Sequence, residues 1–438
     1  MSPRARISES SLPLDPPSGA QDVTEHASWR PWGLGIDCHS RFYQVCLLLP
    51  DYAAHRVRRL ERSVPASRDA LLDARAWVGA VLQAAALPTE PFRYTLESTG
   101  CYHLPIVLAW QGRPSIINPL LAGPSRRKTD VLDARTLAYH SLTGLWPDSY
   151  VPPLAVQELR ALARARRTAL TTGHRHLLSI GALLLTWGHT LTALGSLADG
   201  AVRPVVEDLV AGRAPGGDLL QHVSAAPFPE SVAALIRDNY AAYDAARARA
   251  RQLQKAVLEG IKRLSWPVLN GTAGGEGLLG HLQSIPGVGP QTASTWLLEA
   301  GDVTRFPRAK AAVAYAGFDP SLKVSAGKVT QHIRRKGNAV LHRVFIQAAQ
   351  SVLARNREPI GRWGHAIRLK HARGGHAKAV GAVARRLVQC AYHVTLHNAP
   401  FDPSGYRSLD PWRATAVSPT DPPPSPPGPP DCSSAAPS

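Results

Sequence analysis

Short apolar segments alternate with helical stretches over residues 31–148, and this pattern limits the possible folds more than any other feature. Strand-like segments are WGLGID, FYQVCLLL, HRVRRLERSV, FRYTLE and PSIINP. The stretch LLDARAWVGAVLQAAAL, between the third and fourth segments, has apolar residues at helical spacing. Strands separated by helices pack as a sheet covered by helices, so we expect an α/β domain here.

The rest of the chain is predicted to be helical, with a tail at each end. Residues 149–278 contain two long Ala/Leu/Arg-rich helical patterns, which suit a coiled-coil dimerisation region; packing within one chain is the alternative. Residues 279–398 are predicted to be mainly helical. The polar residues 1–30 and the Pro-rich residues 399–438 favour a disordered arm and a disordered tail.

The chain is strongly basic, with 50 Lys and Arg against 32 Asp and Glu and a net charge of +18. Such a protein usually binds a polyanion, most often nucleic acid. Between Arg305 and Arg386 there are 18 Lys and Arg and only two acids, so this stretch alone contributes +16.

Other classes of protein are excluded by what the chain lacks. No apolar run reaches the roughly 18 residues of a membrane span, and the N-terminus has no apolar signal segment. The five Cys are scattered without a Cys-x-x-Cys pair, which argues against a disulfide framework or a structural zinc site. We therefore expect a protein of the reducing cytoplasm with no membrane partner.

Four acids occupy positions that suit a shared site. Asp37 ends the first strand, Glu97 ends a later one, and Asp130 and Asp133 lie in KTDVLDARTLAYH, where a helix is predicted to begin. A spacing of three places two helical side chains on one face. Because the carboxyl ends of strands in an open α/β sheet meet at one edge, we expect a four-carboxylate cluster there.

A cluster of four carboxylates needs a cation, because like charges raise one another's pKa. Mg²⁺ prefers oxygen ligands and is the expected cofactor. Paired ions, typically about 3.5–4 Å apart, can hold a phosphodiester during displacement. The alternative for each acid taken singly is a turn former or a helix cap.

Basic and aromatic residues lie next to these acids in the sequence. Three basic residues precede the helix acids and are expected to contact a nucleic-acid backbone, with a solvated loop as the alternative: Arg126, Arg127 and Lys128. For three further residues a structural role is favoured over substrate contact: His39, Tyr102 and His103.

The segment LQSIPGVGPQTASTWLL predicts two helices joined by a tight turn. Gly287 and Gly289 allow the turn and leave backbone N–H groups bare beside a helix N-terminus, which is an anion-binding arrangement. This pattern resembles a helix-hairpin-helix element, which binds nucleic acid without reading sequence. A plain connection between two helices is the alternative.

A serine follows in the most basic part of the chain. Ser325 lies in the predicted loop KVSAGK between Lys323 and Lys328. A serine hydroxyl is a weak nucleophile unless a base, a metal or nearby cations activate it, and most loop serines only form turns or caps. A further basic turn suits phosphate contacts, with a merely charged loop as the alternative: Arg334, Arg335 and Lys336.

Together these motifs resemble the bacterial DEDD transposases of insertion sequences. GIDCHS, LESTGCYH and KTDVLDARTLA are similar to the family's N-terminal domain, which is RuvC-like and of the RNase H class. IPGVGPQTA, RFPRAKAAVAYAGFDPSLKVSAGK and RRKGN resemble its C-terminal domain, which bears a serine. The resemblance covers residues 33–395.

The resemblance implies a mechanism and a set of partners. The Mg²⁺ ligands would be Asp37, Glu97, Asp130 and Asp133. Ser325 would attack the scissile phosphate and form a covalent phosphoserine–DNA intermediate. Acids and serine would come from different protomers of a homodimer that assembles to a tetramer. A guide (bridge) RNA encoded by the element would pair with target and donor DNA, in a bacterial, nucleoid-associated setting.

One departure from the family pattern leaves alternatives open. The family usually has Ser-Gly at the nucleophile, whereas this chain has Ser325–Ala326, and Ser321 lies nearby as a second candidate. A metal-dependent RuvC-like nuclease or junction resolvase, in which water attacks, is the alternative function. A catalytically inactive nucleic-acid-binding protein is a third.

Overall fold

The computed structural model describes residues 7–13, 29–97, 102–110, 112–117, 130–144, 150–198, 201–213, 222–223, 228–325, 328–333, 337–355, 357–371 and 374–403. The chain divides into two compact units, residues 1–151 and 152–438. The first is α/β and the second is mainly helical, so the expected combination of α/β and all-α parts is confirmed.

The first unit is a mixed sheet flanked by helices. Its strands are β1 (Ile7–Pro13), β2 (Gly33–Cys38), β3 (Phe42–Asp51), β4 (Arg56–Pro65), β5 (Arg93–Glu97) and β6 (Arg113–Ile117). They lie in the order β1-β4-β3-β2-β5-β6, with β2, β5 and β6 parallel and the other pairs antiparallel. Its helices are α1 (Arg68–Ala84), α2 (Leu104–Trp110) and α3 (Asp130–Thr143).

Alternation along the strands produces two separate apolar faces. Leu34 and Ile36 of β2 point to the face covered by α1 and α2, where they join the larger core cluster. Cys46 and Leu48 of β3 belong to a smaller cluster on the other face, together with Ala138 and neighbouring residues of α3. Side chains at every second position face opposite ways, so both sides of the sheet are covered.

The expectation of a disordered arm over residues 1–30 is wrong for residues 7–13. These residues form β1, which pairs antiparallel with β4. Arg58 Nε donates to Glu9 Oε1 at 2.5 Å, and Arg56 Nε donates to Ser11 Oγ at 3.1 Å. The edge of β4 offers backbone hydrogen bonds to this polar segment, and Leu12 packs against the smaller core cluster.

The second unit is built mainly from helices. They are α4 (Leu154–Thr186), α5 (Val202–Val210), α6 (Glu230–Lys262), α7 (Gly275–Gln283), α8 (Pro290–Ala300), α9 (Ala309–Tyr315), α10 (Ala339–Arg355), α11 (Pro359–Lys370) and α12 (Gly375–His397). Two antiparallel pairs of short strands accompany them: β7 (Ser265–Val268) with β8 (Gly271–Gly274), and β9 (Pro320–Ser325) with β10 (Lys328–Ile333).

The helices α4 and α6 pack against each other as a long hairpin. At its base, Leu159 and Ile261 join the main core of the unit, whereas at its tip Leu184 and Ile236 belong to a separate cluster with α5. The two long helical patterns thus pack within one chain, and the predicted self-association stays a prediction. In the described part of the chain, no helix combines the length and apolarity needed to cross a membrane.

Candidate active site

Two of the predicted acids lie side by side at the carboxyl ends of the neighbouring strands β2 and β5. Ile36 of β2 is paired with Leu96 of β5 in parallel register, so Asp37 and Glu97 occupy the next position on each strand. Neighbouring strands lie about 4.8 Å apart, and equivalent positions face the same side. The pKa of the Cys38 thiol is raised, first by burial and then by the charges of both carboxylates. The structure therefore brings Asp37 and Glu97 together, as predicted.

The helix α3 approaches this edge because β2 carries glycines. A Cβ on Gly33 would overlap the Ala138 carbonyl, and one on Gly35 would overlap the Ala138 nitrogen and the Ala134 carbonyl. Each two-residue step along β2 thus corresponds to four residues backwards along α3, about 6–7 Å in both elements. Two residues further along β2, Asp37 lies on the same face as Gly33 and Gly35. By the same spacing, its position corresponds to the first turn of α3.

An ion pair anchors α3 in this position. Arg135 donates through Nε and through a terminal nitrogen to both carboxylate oxygens of the buried Glu61 on β4, at 2.6 and 2.8 Å. This hydrogen bonding raises the pKa of Arg135. A bidentate pair fixes geometry as well as charge, so it holds the start of α3 over the strand acids.

His39 contacts the strand acid directly. Its Nε2 lies 2.9 Å from Asp37 Oδ2, and its ring stacks on Phe42 with centroids 5.1 Å apart. Asp37 is 7% exposed, whereas the His39 side chain is 41% exposed. The sequence indicates His39 only as a neighbour of Asp37, two residues further along the chain. That short separation is the only signal in the sequence for this contact.

The other two sequence neighbours of the acids are Tyr102 and His103. Tyr43 donates its hydroxyl to the carbonyl of Tyr102 at 2.8 Å. Burial lowers the pKa of His103, whose Nδ1 is buried without a hydrogen-bond partner in the described part of the protein. The structural role favoured for both residues stays a prediction.

The carboxylates suit a hard cation by their chemistry. Asp37 and Glu97 occupy neighbouring positions on β2 and β5, and Asp133 lies in the first turn of α3. Among the described side chains, no group of three His, Cys, Asp or Glu is close enough to hold a metal ion. The Asp130 side chain lies outside the described residues, as do Arg126, Arg127 and Lys128. The four-acid magnesium site stays a prediction.

The serine segment forms a hairpin where the sequence suggested a loop. Ser325 is the last residue of β9, and its backbone is paired with that of Lys328 at the start of β10. Lys323 is paired with Thr330. The side chains of these residues lie outside the description, as does the basic turn Arg334, Arg335 and Lys336. β-Branched residues on both strands, including Val324 and Val329, explain the strand preference.

The predicted turn between two helices is present between α7 and α8. Gly287 has φ +80°, and a Cβ there would lie 2.9 Å from the Ala348 carbonyl oxygen of α10. Gly289 caps α8 with φ −91°, and a Cβ there would meet open space. Only Gly287 needs the freedom of glycine, while Gly289 leaves the helix N-terminus accessible.

Comparisons with known proteins find similarity to transposases in the C-terminal part of the chain. Residues 280–363 match the Transposase IS116/IS110/IS902 family, and this range includes the α7–α8 turn and Ser325. A curated protein of Streptomyces coelicolor, the insertion element IS110 uncharacterized 43.6 kDa protein, is 34% identical over 113 residues. The match covers 25% of this chain and only 27% of that relative. The resemblance to an insertion-sequence transposase family is thereby confirmed.

Proposed function

We propose that this protein is the DNA transposase of an insertion element. It cuts and rejoins DNA with Ser325 as nucleophile and with Mg²⁺ held by Asp37, Glu97, Asp130 and Asp133. The carrying observation is the match of residues 280–363 to a transposase family, because this range contains Ser325. The pairing of Asp37 with Glu97 at the sheet edge supports the metal site. The strand order of the sheet is compatible with the RuvC-like fold implied by the resemblance.

In the proposed reaction the Ser325 hydroxyl loses its proton and its oxygen bonds to phosphorus. The bond from phosphorus to one sugar oxygen breaks, and that oxygen leaves as a hydroxyl after taking up a proton. A hydroxyl of another DNA end then reverses the step and releases the serine. When bound, Mg²⁺ stabilises the negative charge that develops on the phosphate oxygens.

Residues of the first unit orient the carboxylates for this reaction. His39 contacts Asp37 Oδ2 and limits its rotation, while the Arg135–Glu61 pair holds α3 in place. We infer that acids and serine from two protomers of a dimer, assembling to a tetramer, meet at one phosphodiester. This arrangement is implied by the family resemblance.

We further infer that a guide (bridge) RNA selects the DNA. Phosphate contacts by Lys and Arg give affinity without sequence information. The concentration of excess charge in one basic stretch fits a protein whose target specificity is delegated to base pairing with RNA, as in other guided systems. Target DNA, donor DNA and the RNA are the proposed partners.

The test is a reconstituted strand-exchange reaction with the element's end, a target duplex and RNA transcribed from the flanking DNA. We expect Ser325→Ala to abolish joined products and Ser321→Ala, the matched control, to retain them. Normal exchange by Ser325→Ala would refute the serine mechanism. Mg²⁺-dependent cleavage by Ser325→Ala, without joining, would instead support the nuclease or resolvase in which water attacks.

A further inference from the structure

A cleft of about 350 Å³ lies at the base of the α4–α6 hairpin, within the second unit. Residues of α4, α6, α8 and α10 line it. Its floor is apolar, since Val257, Leu298 and Val344 are buried. The volume falls within the range of small-ligand sites, roughly 300–1,000 Å³, and would hold one nucleotide.

The rim of this cleft is positively charged. Arg164 and Arg167 of α4 and Arg343 of α10 are exposed, and none of them forms an ion pair with any residue the structure describes. Glu299 is the only acid in the lining, and its Oε2 already accepts from Asn338 Nδ2 at 2.8 Å. Cations without counterions at a concave site favour an anionic ligand.

Arg166 adds a half-buried cation to the same lining. One terminal nitrogen donates to Gln291 Oε1 at 3.0 Å, but its Nε is buried and has no hydrogen-bond partner among the described residues. Burial lowers the pKa of Arg166, yet a guanidinium keeps its proton at neutral pH. The Nε lies below the surface, so the terminal guanidinium nitrogens are the atoms of Arg166 that a phosphate oxygen in the cleft would meet.

Amide side chains complete the lining between the charged rim and the apolar floor. Gln254, Gln291 and Gln347 come from three different helices. Among the described residues, Gln254 makes one long side-chain contact, 3.5 Å from its Nε2 to Ser294 Oγ. Amides both donate and accept, as the edge of a nucleobase requires. The cleft thus combines apolar side chains, amide groups and guanidinium groups in its lining.

We propose that this cleft binds one unpaired nucleotide of a nucleic-acid strand, with the base on the apolar floor and the phosphate at Arg166 and Arg343. The inference rests on the proposed function, whose strand exchange exposes unpaired DNA and whose guide supplies RNA. A paired base cannot enter a concave site enclosed by four helices. RNA and DNA share the required chemistry, so the experiment separates them.

The experiment measures binding of fluorescent single strands, RNA and DNA of one sequence, to the full chain without divalent metal. A fully paired duplex of that sequence is compared. We expect Arg166→Gln and Arg343→Gln each to weaken single-strand binding about tenfold, with less than about threefold loss for the duplex. The matched control is Arg249→Gln, an exposed arginine of α6 outside the cleft, which should change neither by more than about threefold. The strand that loses more identifies the ligand.

Competition adds a test of the base. A nucleoside monophosphate should displace the single strand from wild type at lower concentration than inorganic phosphate does, and this advantage should vanish in Arg166→Gln. Equal losses for single strand and duplex, or equal competition by phosphate, would overturn the nucleotide site. Arg166 is half-buried, whereas Arg343 is exposed. If Arg166→Gln unfolds the protein, the binding measured for Arg343→Gln decides the test. If wild type bound no nucleic acid, the proposed function itself would fail.

Discussion

The two units of this protein use charge differently. Residues 1–151 carry 16 Lys and Arg against 14 Asp and Glu, whereas residues 152–438 carry 34 against 18. Ion pairs occur in both units, for example Arg135–Glu61 in the first and Arg203–Asp244 in the second. In the second, the arginines at the rim of the cleft are exposed and lack ionic partners in the described structure. Fixed carboxylates suit chemistry at one point, and free cations suit a long anionic ligand.

The largest expected effect comes from removing the carboxylates of the first unit. Asp37→Asn and Glu97→Gln should each lower the strand-exchange rate by at least about 100-fold, because metal stabilisation of a transition state is worth several kcal/mol. Binding of duplex DNA should stay within about threefold of wild type, because the second unit carries the excess charge. Asp51→Asn, at the exposed last residue of β3, is the control. Equal loss of binding and rate would show that the acids act through folding.

The next effect concerns how α3 reaches the strand acids. Gly35→Ala should lower the unfolding free energy of the first unit by about 3 kcal/mol, because its Cβ would overlap the backbone of α3. Gly79→Ala in α1 is the matched control. A Cβ there would meet nothing within 4 Å, so the variant should gain about 0.5–1 kcal/mol. Denaturant unfolding followed by Trp fluorescence measures both. An unchanged free energy of unfolding in Gly35→Ala would contradict the close approach of α3 to β2.

A smaller effect is expected from removing positive charge from the second unit. Replacing Arg334, Arg335 and Lys336 by Ala should weaken binding to all DNA sequences alike. The slope of log affinity against log salt should fall by about 2–3, since each lost phosphate contact contributes roughly 0.9. Binding titrations on two unrelated duplexes at several salt concentrations measure it. Unequal loss between the duplexes would mean that these residues read sequence.

The smallest effect is a pH dependence of the first unit. Burial lowers the pKa of His140 in α3 from 6.5 to about 4. Below pH 6.5 the unfolded chain therefore binds a proton that the folded chain does not, so stability falls as pH drops from 6.5 towards 4. Because His140 is partly exposed, we expect a loss of about 1 kcal/mol. His140→Gln should flatten this dependence in thermal unfolding. An unchanged profile would contradict the assignment.

Much of the first unit follows from its sequence because its signals are local. Asp37 and Glu97 end apolar strands, and strand ends of an α/β sheet converge. The place of β1 does not follow from the sequence, because its polar segment lacks the apolar alternation that predicts a strand, and it pairs with the distant β4. The contact of Gly35 with α3 is long-range, and no local pattern encodes it.

The second unit is harder to predict for the same reason. Long helices were evident from their periodicity, but the periodicity does not say whether the partner is in the same chain or another. Ser325 lies at a strand end, although the small residues after it suggested a loop. The cleft at Arg166 combines residues up to 184 positions apart, from Ala163 to Gln347. Only packing brings such residues together.

The most direct measurement locates the protein–DNA bond. Trypsin separates the two candidate serines, since Ser325 lies in the peptide Val324–Lys328 and Ser321 in the preceding one, which ends at Lys323. Reaction products are digested with nuclease and trypsin and analysed by mass spectrometry. We expect a nucleotide remnant on Val324–Lys328 with wild type, and none with Asp37→Asn. A remnant on the preceding peptide, or cleaved DNA with no remnant at all, would contradict the claim that Ser325 and the carboxylates act together.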